Sequence, residues 1–86
     1  MYEILLSRKA EKFYGKANDE LVVKLHKCFD NLSQDPYKGS DIKKLKGDLA
    51  DSWRYRIGDY RVVYIVDEPN RNILISIIAH RRESYR

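Results

Sequence analysis

The 86-residue sequence has little of what several protein classes require. Its one cysteine, Cys28, excludes an internal disulfide and a cysteine-rich zinc site. Its four glycines are too scattered to form a glycine-rich phosphate loop. No apolar run approaches the ~18 residues that a membrane-spanning helix needs, and no secretory signal is visible. We therefore expect a single domain over residues 1–86, in the cytoplasm, with no membrane, metal ion or cofactor bound.

Positive charge is concentrated in the second half of the chain. Residues 1–41 carry seven basic and seven acidic side chains, whereas residues 42–86 carry ten basic and six acidic ones, which accounts for the whole net charge of +4. Seven of the eight arginines lie in this second half. Because a guanidinium group is a planar fork that matches phosphate oxygens, the bias indicates a phosphate-containing partner. A basic surface that only keeps the protein in solution is the alternative.

The hydrophobic pattern predicts two helices followed by an antiparallel sheet. Residues 2–6 are an apolar run typical of a first strand, and Ser7 and Asn18 can each cap a helix. The second helix ends before Pro36. Further strands, the first of them short, are expected at residues 42–47, 53–57, 60–66 and 73–79. The order βααβββ predicts an α+β fold, with both helices on one face of a mainly antiparallel sheet of four to five strands.

The predicted hairpin sorts its side chains between the two faces of the sheet. A two-residue turn at Gly58 and Asp59 places Arg56 opposite Arg61. Because side chains alternate, Arg54 shares their face, opposite the face that receives the helices. Directly opposed like charges destabilise a sheet, so this arginine face (Arg54, Arg56 and Arg61) favours a polyanionic ligand. Alternatively, each arginine packs its stem on apolar neighbours and pairs with a carboxylate, and a one-residue slip would separate Arg61 from the others.

The C-terminal residues 80–86 combine an imidazole, three guanidinium groups, a carboxylate and a phenol. They directly follow the last predicted strand, which could deliver them to the arginine face. Arginine stays protonated, so proton transfer there would need His80, Glu83 or Tyr85. Of these residue types, only histidine ordinarily titrates near neutral pH. The alternative is a solvated end of the chain.

Three motifs resemble those of the RelE/ParE toxin superfamily. They are Leu45-Lys46-Gly47, WRYRIGDYRVVY at residues 53–64, and IAHRRESY at residues 78–85. The resemblance implies the βααβββ fold and a toxin of a type II toxin–antitoxin pair, held inactive by an antitoxin. In the RelE branch, it implies a metal-independent endoribonuclease that cleaves messenger RNA in the ribosomal A site by 2′-hydroxyl attack. In the ParE branch, it implies a DNA gyrase inhibitor that acts by protein binding without catalysis.

The resemblance also implies roles for individual residues. Arg61 would contact the scissile phosphate, Tyr85 would stack on the reacting nucleotide, and His80 matches a histidine without a defined role. Arg81 or Arg82 would stabilise the transition state or help to protonate the leaving group. The residues implied to bind RNA phosphate are Arg54, Arg56, Arg82 and Lys46.

The basic and aromatic end of the chain favours the ribonuclease over the gyrase inhibitor. His80, Arg81 and Tyr85 occur there together, whereas the ParE branch generally lacks such a tail. The expected partners are a RelB-like antitoxin, the ribosome and messenger RNA, with the toxin monomeric inside a hetero-oligomeric complex. One departure from RelE is that arginines replace lysines at positions 54 and 56, so neither residue can act as a base.

Overall fold

The computed structural model of the protein describes residues 1–82, which form two helices and five strands. In chain order the elements are β1 (Glu3–Leu6), α1 (Arg8–Lys16), α2 (Asp19–Gln34), β2 (Ile42–Lys44), β3 (Trp53–Ile57), β4 (Tyr60–Asp67) and β5 (Asn72–His80), with a short 3-10 turn at Gly47–Leu49. This order confirms the predicted α+β fold, and β2 is the short additional strand. Neither helix of this described part is long and apolar enough to cross a membrane.

Both helices begin at the predicted caps. The Ser7 hydroxyl accepts a hydrogen bond from the Ala10 N–H at 3.0 Å, and the Asn18 side chain accepts one from the Leu21 N–H at 2.9 Å. One apolar stripe of α2 then packs on the sheet, together with Ala10 of α1. The buried residues of that stripe are Leu21, Leu25, Cys28 and Leu32.

The strands form one sheet in the order β1-β5-β4-β3-β2. The α-helices connect β1 to the rest of the sheet, and β1 is the one strand that pairs in parallel, with β5. The other three pairings are antiparallel. The strand β5 therefore lies between β1 and β4, which agrees with its apolar residues on both faces.

The sheet has a helix face and an open face without helices. The helix face carries the core, in which the sheet contributes Val62, Tyr64, Ile73, Ile75 and Ile78. The hairpin turn lies at Gly58 and Asp59, as predicted, with Gly58 at a φ of +55°, where glycine is favoured. This turn fixes which residues of β3 and β4 reach the open face.

A bulge at Ser76 changes the alternation of side chains along β5. The Ser76 hydroxyl donates to the Val63 carbonyl at 3.1 Å, and the Ser7 hydroxyl donates to the Ser76 carbonyl at 2.8 Å. Because β5 gains one residue there, Ile75 and Ile78 are both buried against the helices although three positions separate them. The bulge therefore sets the face to which each later residue of β5 belongs.

Candidate functional site

The three residues of the arginine face lie together on the open face, in the register that the hairpin predicts. Arg56 pairs directly with Arg61 across β3 and β4, and Arg54 pairs with Val63 in the same ladder. These arginines, with β2 and the loop that follows it, line a shallow depression that we name the cationic cleft. Its lining residues are Lys43, Lys44, Leu45, Lys46, Arg54, Arg56 and Arg61.

The edge strand β2 places a second pair of like charges in the cationic cleft. Lys43 lies directly opposite Arg54 in the β2–β3 ladder. Its neighbour Ile42 packs against the core, and the Nζ atom of its other neighbour, Lys44, lies 5.1 Å from the centroid of the Trp53 ring. Because alternate residues of a strand face opposite sides, these contacts direct Lys43 to the open face. Two directly opposed pairs of cations therefore lie side by side.

Arg54 is the most enclosed cation of the cleft, with 8% of its surface exposed. No ion pair joins Arg54 or Arg56 to any residue in the part of the chain that the structure describes. Within residues 1–82 the Arg54 side chain makes no hydrogen bond, yet no buried side-chain nitrogen or oxygen there lacks a partner. The Arg54 guanidinium nitrogens therefore keep some contact with solvent. A largely enclosed charge without a counter-ion is unfavourable. The cleft is therefore suited to receive an anion.

Three carboxylates near the arginine face have partners outside it. Their partners are Arg71 for Glu68 (3.2 Å), Asn70 for Asp67 (2.9 Å) and Arg81 for Asp59 (3.8 Å). Arg54 and Arg56 therefore form no ion pair with these acidic groups, in contrast to the alternative prediction.

Arg81 lies beside the hairpin turn. Its N–H donates to the Asp59 carbonyl at 2.7 Å, which extends the β4–β5 ladder by one step, and its Nε atom lies 3.8 Å from the Asp59 carboxylate. The opposed pair of Arg56 and Arg61 is near this turn, because only the pair of Ile57 and Tyr60 lies between them and it. Lys46 lines the cleft as well. The fold thus places Arg81 beside the hairpin turn that joins β3 and β4, outside the lining of the cleft.

The structure does not bring His80 to the cationic cleft. His80 pairs with Tyr60 at the end of β5, and the two rings meet edge-on at 5.3 Å on the helix face. There it lines a groove with Phe13 and Lys16 of α1. The Arg82 N–H donates to Nδ1 of His80 at 3.3 Å. The predicted catalytic role of His80 therefore gains no support from its position.

The last residues of the tail include two that the sequence singled out for stacking or proton transfer. Tyr85 and Glu83 both lie outside the described residues. Arg82 is exposed, and its hydrogen bond to His80 is made by its backbone N–H. The predicted roles of Arg82 and Tyr85 stay predictions.

Sequence reasoning did not single out Lys43. The segment 42–47 was expected to form a short strand, but three residues are too few for alternation alone to define their faces. The missing information was the pairing of β2 with β3, which places Lys43 against Arg54. One local signal was present, namely the apolar Ile42 directly before Lys43.

Comparison with known proteins identifies the family to which the chain belongs. A sequence profile of the ParE toxin of type II toxin–antitoxin system, parDE, matches residues 4–85. Since this match covers almost the whole chain, the protein belongs to the ParE toxin family, within the RelE/ParE superfamily that its motifs resemble. The predicted superfamily is thereby confirmed.

Two toxins and one complex from Mycobacterium tuberculosis are similar to this chain. Toxin RelG is 33% identical over 59 residues (69% of this chain, 66% of RelG), and Toxin RelE is 46% identical over 44 residues (51% of this chain, 45% of RelE). The matches thus span less than two thirds of either curated toxin. The crystal structure of the toxin–antitoxin complex RelBE2 matches with a TM-score of 0.80 and 25% identity, over 93% of this chain and 98% of that one.

Proposed function

We propose that this protein is a metal-independent endoribonuclease that cleaves messenger RNA in the ribosomal A site. The observation that carries the proposal is the cationic cleft, in which Lys43 opposes Arg54 and Arg56 opposes Arg61. A sheet gains nothing from such pairs, whereas an RNA backbone would supply one negative charge at each phosphate. The similarity to Toxin RelE and Toxin RelG of Mycobacterium tuberculosis supports the RelE branch of the superfamily over the ParE branch.

The proposed reaction is an internal transesterification. The 2′-hydroxyl oxygen attacks the adjacent phosphorus, the bond from phosphorus to the 5′ oxygen breaks, and the products carry a 2′,3′-cyclic phosphate and a 5′-hydroxyl. The transition state gathers additional negative charge on the phosphoryl oxygens, and fixed guanidinium groups stabilise that charge. We assign this contact with the scissile phosphate to Arg61 and Arg81.

The other predicted residues would hold the RNA. Arg54, Arg56 and Lys46 line the same cleft and would bind phosphates beside the scissile one. From the tail, Arg82 would add a phosphate contact and Tyr85 would stack on the reacting nucleotide. His80 lies on the other face of the sheet, so it has no part in the proposed reaction.

The proposed partners are an antitoxin, the ribosome and messenger RNA. The matched structure RelBE2 is a toxin–antitoxin complex, and we propose that this chain likewise binds a RelB-like antitoxin, as a monomeric toxin inside a hetero-oligomer. An antitoxin that covers the cationic cleft would keep RNA away from it. The site of action would be the cytoplasm, where ribosomes carry the message.

Inhibition of DNA gyrase is the second candidate function. It is favoured by the family profile, which describes the ParE toxin. A ParE-like toxin would act by contact with a protein, so it would inhibit supercoiling in a purified gyrase assay and leave messages intact. It would also retain its effect when Tyr85 is removed.

The test combines Arg61→Ala in the cleft with Arg81→Ala beside the hairpin turn, in cells that express the toxin without antitoxin. Removal of a single charge-stabilising group commonly lowers a rate by about 10²–10³, so growth arrest should disappear. Primer extension on a translated message should show cuts at codon spacing for the wild type and none for the variant. The matched control, Arg8→Ala with Lys9→Ala, removes two charges from exposed positions on α1 and should behave as wild type.

Two outcomes would contradict the ribonuclease. One is undiminished growth arrest by the folded double variant, with folding checked by circular dichroism. The other is growth arrest by the wild type with uncut messages and inhibited supercoiling, which would establish the gyrase inhibitor instead.

A further inference from the structure

The proposed reaction needs a proton for the leaving 5′ oxygen, and the arginines that we assign to RNA contacts are poor donors. A guanidinium group stays protonated in proteins, so Arg54, Arg56, Arg61 and Arg81 can stabilise charge but cannot readily release a proton. His80 lies on the helix face. Among the described residues that line the cationic cleft, the side chains able to give up a proton are the three lysines 43, 44 and 46.

The three lysines differ in how firmly the fold directs them into the cleft. Lys44 lies over the ring of Trp53. Lys46 follows the end of β2, in the connection that precedes the 3-10 turn. Lys43 alone of the three is a strand residue of β2 with its side chain on the open face, fixed by the pairing with Arg54. Groups on regular elements are held more precisely than groups on loops, which chemistry on a single oxygen atom requires.

We propose that Lys43 is a further catalytic residue, the general acid that protonates the leaving 5′ oxygen. This inference rests on the proposed ribonuclease function. As the 2′ oxygen bonds to phosphorus, its proton passes to solvent water. As the bond from phosphorus to the 5′ oxygen breaks, the Lys43 ammonium gives one proton to that oxygen, and the resulting neutral amine regains a proton from solvent.

The charges around Lys43 suit this task. Arg54 faces it from β3, with Arg56 two positions further along the same strand and Arg61 beyond it on β4. Lys46 lies on the loop side of the same cleft. These cations hold the anionic phosphate between β2 and β4, so the leaving oxygen can lie next to β2 while the guanidinium groups contact the non-bridging oxygens.

The deciding experiment compares Lys43→Arg, Lys43→Ala and the control Lys27→Arg, at an exposed position on α2, on ribosomes programmed with a short message. Arginine keeps the positive charge but is a far weaker acid. Because general acid catalysis is commonly worth about 10²–10⁴ in rate, we expect Lys43→Arg to lower kcat at least ~100-fold while KM changes little. Lys43→Ala should lower kcat similarly and also raise KM. Lys27→Arg makes the same chemical exchange outside the cleft and should retain wild-type kcat.

A message with sulfur in place of the 5′ oxygen at the cleaved bond provides the second measurement. A thiolate leaves without protonation far more readily than an alkoxide, since thiols are much stronger acids than alcohols. The sulfur message should therefore be cut by Lys43→Arg at nearly the wild-type rate. A loss of folding or of phosphate binding would not be rescued by this exchange.

The results separate the inference from the function on which it rests. If the wild type cuts neither message, the ribonuclease proposal fails and this inference fails with it. If the wild type cuts the oxygen message and Lys43→Arg cuts it equally fast, Lys43 only binds phosphate and the general acid assignment is wrong. A slow Lys43→Arg variant that sulfur does not rescue would also overturn it.

Discussion

Replacement of Arg56 by glutamine should make the protein more stable. Arg56 is exposed on the open face and lies directly opposite Arg61. Glutamine keeps most of the length of the side chain and removes its charge, so it relieves the repulsion within this pair. Lysine at the same position keeps the charge and serves as the control.

The expected gain follows from the geometry of the pair. A directly opposed pair on an antiparallel sheet changes stability by roughly 0.2–1 kcal/mol. For a domain of 60–100 residues, 1 kcal/mol corresponds to about 4–8 °C in Tm, so Arg56→Gln should melt about 1–8 °C above the wild type. Salt should reduce the gain, because the Debye length falls from ~10 Å at 0.1 M to ~3 Å at 1 M. Arg56→Lys should melt near the wild type.

Thermal unfolding followed by circular dichroism, at both salt concentrations, measures this gain. The reasoning is refuted if Arg56→Gln melts at or below the wild-type temperature at low salt, or if its advantage is the same at 1 M salt. In either case the pair would not be electrostatically strained, and the cleft would lose its main physical reason to bind a phosphodiester.

Two further predictions concern contacts away from the cleft. Tyr64 is fully buried, and its hydroxyl donates to the Pro36 carbonyl at 2.6 Å. Tyr64→Phe should therefore lower the free energy of unfolding, measured with urea, by about 1–3 kcal/mol. The control Tyr55→Phe removes an exposed hydrogen bond and should lower it less. The hydrogen bond from the Tyr37 hydroxyl lowers the pKa of Glu68. The Glu68 carboxylate therefore stabilises the fold above the ordinary glutamate pKa, and this stabilisation is lost as the pH falls through the lowered value. Glu68→Gln should melt below the wild type at pH 7, and the difference in Tm should vanish in acid.

The local signals in the sequence were sufficient for the helices and the hairpin. Ser7 and Asn18 are caps whose side chains satisfy free N–H groups, and this depends on residues only three positions away. The turn at Gly58 fixes the pairing of Arg56 with Arg61, because a two-residue turn leaves one register. The arginine face could therefore be predicted before any long-range contact was known.

The faces of β2 and β5 needed contacts that the sequence does not display. His80 was predicted near the arginines, but the face of a residue at the end of β5 depends on the bulge at Ser76 and on pairing with β4. The bulge is stabilised by hydrogen bonds to Ser7 and Val63, which are far from Ser76 in the sequence. Lys43 was missed for the same kind of reason, since its face is set by β3.

The division of the sheet into two faces explains how the fold tolerates directly opposed cations in the cleft. The buried core lies on the helix face, where Leu25 and Tyr64 have no exposed surface, and this side provides most of the hydrophobic stabilisation. The open face does not bury apolar area against a helix. Opposed cations there therefore lower the stability of the fold only by their mutual repulsion. A bound phosphodiester would offset that repulsion. Charge on the open face can therefore be arranged for a ligand, while the helices and the opposite side of the same strands maintain the fold.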